Sequence, residues 1–233
     1  MEALSPHSAA RKQVAACVPE QSLLVACLLS MSGGFIDAFT WLSLGGVFAN
    51  SQTGNVVFLG VYAASGQWFQ ALHHVPPILA FVAGAWVATT VRAPLLCLAG
   101  EIVSLTVVML LLHRLAEPVA VIGVAFGVAL QTASFRLVER WKYLSVTVTG
   151  NTLRAIDLLV TDPRREAVRG AHVILTICLM FLLGAAAGAL STKRPGAGGL
   201  IVPIALLTFA PPLFVSRQPS PPLSRPTPCT LAS

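Results

Sequence analysis

The chain has 233 residues, 55% of them apolar and only 10% charged, with a mean hydropathy of +0.78. An ordinary globular domain is about 25% charged, so this chain lacks the polar surface of a water-soluble fold, which excludes a Rossmann enzyme, a kinase or a nucleic-acid reader. The net charge of +6 comes from 15 Lys and Arg set between apolar segments, a pattern suited to a lipid bilayer with an anionic face and not to nucleic acid.

In chain order, residues 1–22 carry Arg11 and Lys12 and read as a disordered cytoplasmic N-terminus. The apolar run from Leu23 to Phe48 exceeds the roughly 7 to 15 residues of a signal-peptide core and reads as a retained first span. Six segments are long and apolar enough to cross: about 23–48, 76–91, 95–112, 118–135, 171–190 and 198–215. Two others, 54–66 and 145–160, are too short or too polar. The second holds Arg154 and Asp157, each costing about 2.5 to 3.5 kcal/mol at a helix centre. The Pro-rich tail 216–233 is expected to be disordered.

Loop charge separates six spans from eight. With six, Arg11, Lys12, Arg92, Arg136, Arg140, Lys142, Arg154, Arg164, Arg165, Arg169, Arg217 and Arg225 face the cytoplasm, and Arg114, Lys193 and Arg194 face out, a split of 12 to 3. Eight spans would leave eight inside, six outside and Arg154 within the membrane. The positive-inside rule therefore predicts six spans with both termini cytoplasmic.

The chain also repeats itself. Thr53-Gly54-Asn55 recurs 96 residues later as Thr149-Gly150-Asn151, and Phe81-Val82-Ala83-Gly84 recurs 100 residues later as Phe181-Leu182-Leu183-Gly184. Each half, 23–113 and 114–215, reads as span, short TGN segment, span, span. An odd number of spans per half predicts insertion in opposite directions. The expected fold is an all-α membrane protein of six transmembrane helices plus two short TGN-initiated half-helices, arranged as a pseudo-symmetric inverted repeat.

Asp37 is the sharpest single residue, since a carboxylate inside a span must find a partner or a water-filled cavity. Two readings stand: a structural group that caps a helix break or pairs with a neighbouring hydroxyl or amide, or a proton-titrating or cation-coordinating group. In the TGN segments, Thr53 and Thr149 match N-terminal caps, Gly54 and Gly150 let the entering chain bend, and Asn55 and Asn151 complete two polar helix starts whose dipoles favour an anion. Gln131 is expected to hydrogen-bond across the bundle, Arg136 to snorkel, and Arg154 to pair with Asp157. His73 and His74 beside Trp68 read as an interfacial belt rather than a metal site, and Glu101 and His113, at the third span, as buried polar groups. Gly123 with Gly127, Gly184 with Gly188, and Ala80-Gly84-Ala88 place small residues one turn apart for helix packing. The five cysteines form no C-x-x-C pair and read as apolar fillers.

The run Gly33-Gly34-Phe35-Ile36-Asp37-Ala38, then Leu44-Gly45-Gly46-Val47-Phe48 and Asn50-Ser51-Gln52-Thr53-Gly54-Asn55, resembles the YoaK-type uncharacterised membrane protein family of bacteria. The resemblance covers about residues 23–215 and implies an integral protein of the bacterial inner membrane, with no particular activity attached. One departure is Thr132, after Gln131, where the family pattern carries Asn. With no H-E-x-x-H, G-x-S-x-G or phosphate loop, neither an enzyme nor a cofactor or metal is expected. The leading expectation is a small-solute transporter or channel whose midplane site uses Asp37, Thr53, Gly54, Asn55, Gln131, Thr149, Gly150 and Asn151 for a small polar or anionic solute. The alternative is a non-transporting scaffold whose polar motifs only lock helices together.

Overall fold

The computed structural model describes residues 22–139, 141–143, 147–161, 165–192 and 197–215. Residues 1–21 of the expected N-terminal segment, the Pro-rich tail, and Arg140, Arg164, Lys193 and Arg194 lie outside the described residues. The helices are α1 Leu23–Ser43, α2 Gln52–Ala64, α3 Trp68–His73, α4 Val75–Val91, α5 Pro94–Leu111, α6 Glu117–Ser134, α7 Val148–Thr161, α8 Arg165–Ser191 and α9 Ile201–Val215. Two residues each of β1 (Leu137–Val138) and β2 (Trp141–Lys142) pair antiparallel, and a 3₁₀ turn, Ala197–Leu200, precedes α9.

Local chemistry sets several boundaries. The Ser22 hydroxyl accepts from Val25 N–H at 3.3 Å and caps α1. Prolines in the first turns of α4, α5 and α6 occupy positions whose N–H would be unpartnered anyway. The predicted first span stops at Ser43 and not at residue 48, because Gly45 and Gly46 turn the chain back with φ of 71° and 73°.

Five helices are long and apolar enough to cross a membrane: α1, the continuous stretch Trp68–Val91 formed by α3 and α4, α5, α6 and α8. The expected sixth span, 198–215, is not one of these five: it forms the 3₁₀ turn followed by the 15 residues of the apolar α9. The two segments judged too short form α2, of 13 residues, and α7, of 14. Leu79, Val82, Trp86, Leu110 and Leu182 remain exposed on the outside of the spans, an apolar exterior that suits lipid. The chain is a multi-pass membrane protein.

α1 lies along α8 and touches α9; α6 lies between α4 and α5; α7 packs on α8, and α2 on α3 and α4. Absent side chains permit these approaches. A Cβ on Gly184 or Gly188 of α8 would collide with the backbone carbonyls of Met31 or Phe35 of α1, and one on Gly34 of α1 with that of Phe181. Gly84 of α4 meets the Phe126 carbonyl of α6 in the same way, while Gly123 and Gly127 admit Val108 and Ser104 of α5. Leu29, Phe35, Ile36, Leu98, Leu105, Val124, Val128, Leu200 and Leu207 belong to one core cluster.

Candidate functional site

Beyond the glycine turn, residues 47–51 run back alongside the end of α1 and reach Asp37 before α2 begins. Asp37 is 4% exposed. Its Oδ1 accepts from the N–H of Asn50 at 2.8 Å and of Ser51 at 3.4 Å, and its Oδ2 accepts from the Ser51 hydroxyl. These are the amides of the N-cap residue of α2 and of the residue before it, so a carboxylate on α1 holds the chain where it enters the helix, while Ser51 makes no side-chain cap of its own. A buried carboxylate is tolerable because charged acceptors with several donors make strong hydrogen bonds. Thr40, one turn on, donates to the Asp37 carbonyl and accepts from Ala49 N–H, each at 3.2 Å, which fixes the returning strand.

Asn55 is fully buried and clamps the same loop. Its Oδ1 accepts from Phe48 N–H at 3.0 Å, and its Nδ2 donates to the Phe48 carbonyl at 2.7 Å and to Gln52 Oε1 at 2.9 Å. Gln52 in turn donates to the Ala49 carbonyl at 2.8 Å. The Phe48 ring stacks on Trp41 at 4.7 Å and covers Gly54, where a side chain would strike it. Thr53 lies inside α2 with its side chain exposed, so it does not cap the helix as expected, and the entering chain is held instead by Asp37. The reason is geometric: the helix begins two residues earlier than expected, at Gln52 with Ser51 as its N-cap residue, which takes Thr53 past the capping position.

α6 completes the polar seam. Thr132 donates to Asn50 Oδ1 at 3.4 Å, and Gln131 donates across the bundle to the Leu29 carbonyl of α1 at 3.4 Å. The departure from Asn to Thr at 132 thus keeps a donor to the loop. Two polar atoms here, Asn50 Nδ2 and Ser32 Oγ, are buried with no hydrogen-bond partner among the described residues. Sequence reading passed over Asn50, Ser51 and Ser32, although Asn50 and Ser51 directly precede the quoted TGN motif.

The second TGN segment is arranged differently. Thr149 and Gly150 are exposed in the first turn of α7, while Asn151 is buried and its N–H donates to the Thr147 carbonyl at 3.1 Å. The main packing of α7 is with α8 and that of α2 with α3 and α4, so the structure brings Asp37, Asn50 and Thr132 together, sets Gln131 on α1 at Leu29, and packs each TGN segment chiefly within its own half. Arg154 does not pair with Asp157. The Arg154 guanidinium donates to the Lys142 carbonyl at 2.8 Å, and Asp157 accepts from Thr161 at 3.1 Å, because each finds a partner nearer its own end of the helix.

His74 is buried rather than interfacial: its ring stacks on Phe58 and Tyr62 and its Nδ1 stands 3.4 Å from Asn55 Oδ1. His73 Nε2 lies 3.3 Å from Glu117 Oε1. His113, expected to be buried, is exposed just beyond the end of α5, and Arg136 is exposed as anticipated. Among the described residues, no three His, Cys, Asp or Glu side chains group as metal ligands, and Cys27, Cys97 and Cys178 are free.

The sequence matches the family described as protein of unknown function, DUF1275, over residues 25–211. The chain belongs to the DUF1275 family. That match takes in every element from α1 into α9, including Asp37 and both TGN segments. No curated protein and no solved structure matches the chain.

Proposed function

We propose that this DUF1275 protein is a small-solute transporter or channel, with a site at the seam of α1, α6 and the start of α2. The observation that carries the reading is Asn50 Nδ2, a buried donor without an acceptor among the described residues, set between Asp37 and Thr132. A buried amide donor left unmade is costly, and a polar or anionic solute would satisfy it. Gln131 and Ser32 supply further polar lining, and the starts of α2 and α7 add dipoles that favour an anion.

The same reading takes α9 with its 3₁₀ turn as the sixth crossing, and α2 and α7 as half-helices, in an inverted repeat with both termini cytoplasmic. Its support is that the packing partners exchange between halves: α1 on α8 corresponds to α4 on α6, and α1 on α9 to α5 on α6. Gly184 on the Met31 carbonyl corresponds to Gly84 on that of Phe126. A reporter in the 65–67 turn tests the topology; an inside signal there rejects it.

A second reading has its own observation. Both Asp37 oxygens are already engaged by the start of α2, which suits a scaffold whose polar groups only lock helices. Flux of small anions and polar solutes into proteoliposomes separates the two. Transport weakened by Asn50→Ala, with folding retained, supports the first. If Asp37→Asn shifts the pH profile of flux more than Thr149→Ala does, Asp37 also titrates in the cycle; equal profiles assign it to structure alone.

A further inference from the structure

The buried face of α5 repeats at helical spacing through Leu98, Glu101, Leu105 and Val108. Three of these are apolar. Glu101 is 0% exposed, and neither Oε1 nor Oε2 has a hydrogen-bond partner among the described residues. It stands at a close approach of α5 to α6, since a Cβ added to Gly127 would lie 3.5 Å from Glu101 Cα and 3.2 Å from Ser104 Cβ. The Ser104 hydroxyl is turned away, donating to the Gly123 carbonyl at 2.7 Å.

Among the described residues, no countercharge faces this carboxyl. α4, α9 and the 3₁₀ turn, which pack on α5, contain no ionisable side chain, and the only one on α6 is Glu117, in its first turn beside His73. Arg92, beyond the end of α4, is exposed and donates to the Thr89 carbonyl. Cys97, one turn earlier on α5, is a buried thiol. Asp37 on α1 is engaged by the three donors of the loop before α2. An ionised carboxylate in such surroundings is far costlier than the neutral acid.

We propose that Glu101 is a proton-binding site in the core of the membrane domain, occupied at neutral pH, with the proton as its ligand. A metal cation is a poor fit, since hard cations collect several oxygen ligands and this seam offers one carboxyl. Asp37 is the opposite case: a carboxyl with three donors and no need of a proton. The assignment does not depend on transport.

Infrared difference spectroscopy of the protein in lipid vesicles tests it. At neutral pH the wild type is expected to show a carboxylic-acid C=O band that shifts in D₂O. The band disappears in Glu101→Gln, which copies the neutral acid in shape, and in Glu101→Met, and it remains in Asp37→Asn. Dicyclohexylcarbodiimide, which needs a protonated carboxyl in apolar surroundings, supplies a readout on the unmutated protein: mass spectrometry should place the adduct on Glu101, with none from a water-soluble carbodiimide. An absent acid band, a band that survives both Glu101 variants, or an adduct on Asp37 in place of Glu101 overturns the proposal.

Discussion

The two short helices carry the same three letters at their starts and are held by different chemistry. Before α2, the chain folds back onto α1, a buried carboxylate receives the two amides that precede the helix, and Asn55 grips Phe48 by both backbone groups. Before α7, position 133, which matches Asp37 at the 96-residue offset, is Ala, and the entering chain forms the β1–β2 hairpin instead. After it Tyr143 is buried in a cluster with Val138, Ala26, Val173 and Ile177, and Arg154 reaches back to the Lys142 carbonyl. Burial pushes the Tyr143 phenol well above its ordinary range, so it stays neutral at any physiological pH. The feature common to both is the buried Asn of the TGN, while its Thr is exposed in each. The motif therefore marks where an amide is buried and leaves the capping of the helix to its surroundings.

The largest test of this difference removes each anchor. Asp37→Ala strands two amides and a hydroxyl in the interior and should cost about 4 kcal/mol, read as a lowered melting temperature in detergent. Tyr143→Ala empties an apolar site and should cost about 3 kcal/mol. If Asp37→Ala were neutral while Tyr143→Ala was not, the carboxylate would lose its place as the anchor of α2.

A smaller effect should have opposite signs in the two halves. Gly54→Ala drives a methyl into the Phe48 ring, which Trp41 holds in place, and should destabilise by about 1 to 2 kcal/mol. Gly150→Ala meets only the Thr147 methyl, at 3.3 Å, and should stabilise α7 by about 0.5 kcal/mol through reduced backbone entropy in the unfolded chain. The smallest effect belongs to the threonines. Thr53→Ala and Thr149→Ala should each change stability by less than about 0.5 kcal/mol, since both side chains are exposed. A loss near 1 kcal/mol at either would restore the capping role to the motif itself.

Much of the membrane architecture was legible because apolar length and small-residue spacing are local properties. The long helices, the short ones at the TGN segments, and the glycine stripes at 123, 127, 184 and 188 all follow from residues within a few turns of one another. The sixth segment divides into a 3₁₀ turn and α9, a break that hydropathy averaging does not register. Asp37 was found as an anomaly, but its partners, Asn50 and Ser51, are 13 and 14 residues away across a reversal that depends on two left-handed glycines. Glu101, read as a buried polar group, is buried, and its spacing from Leu98 and Leu105 places it on one face with them.

What the sequence by itself determined is solvent and segment: a chain this poor in charge must put its apolar helices into lipid, and the order of spanning and short segments follows from length and composition. Only the tertiary structure decided which buried carboxyl is supplied with donors and which is left without. Asp37 and Glu101 are both single acids in apolar helices, and no window of sequence separates them. The difference lies in whether a distant stretch of backbone, with its obligatory N–H groups, happens to be folded against the side chain.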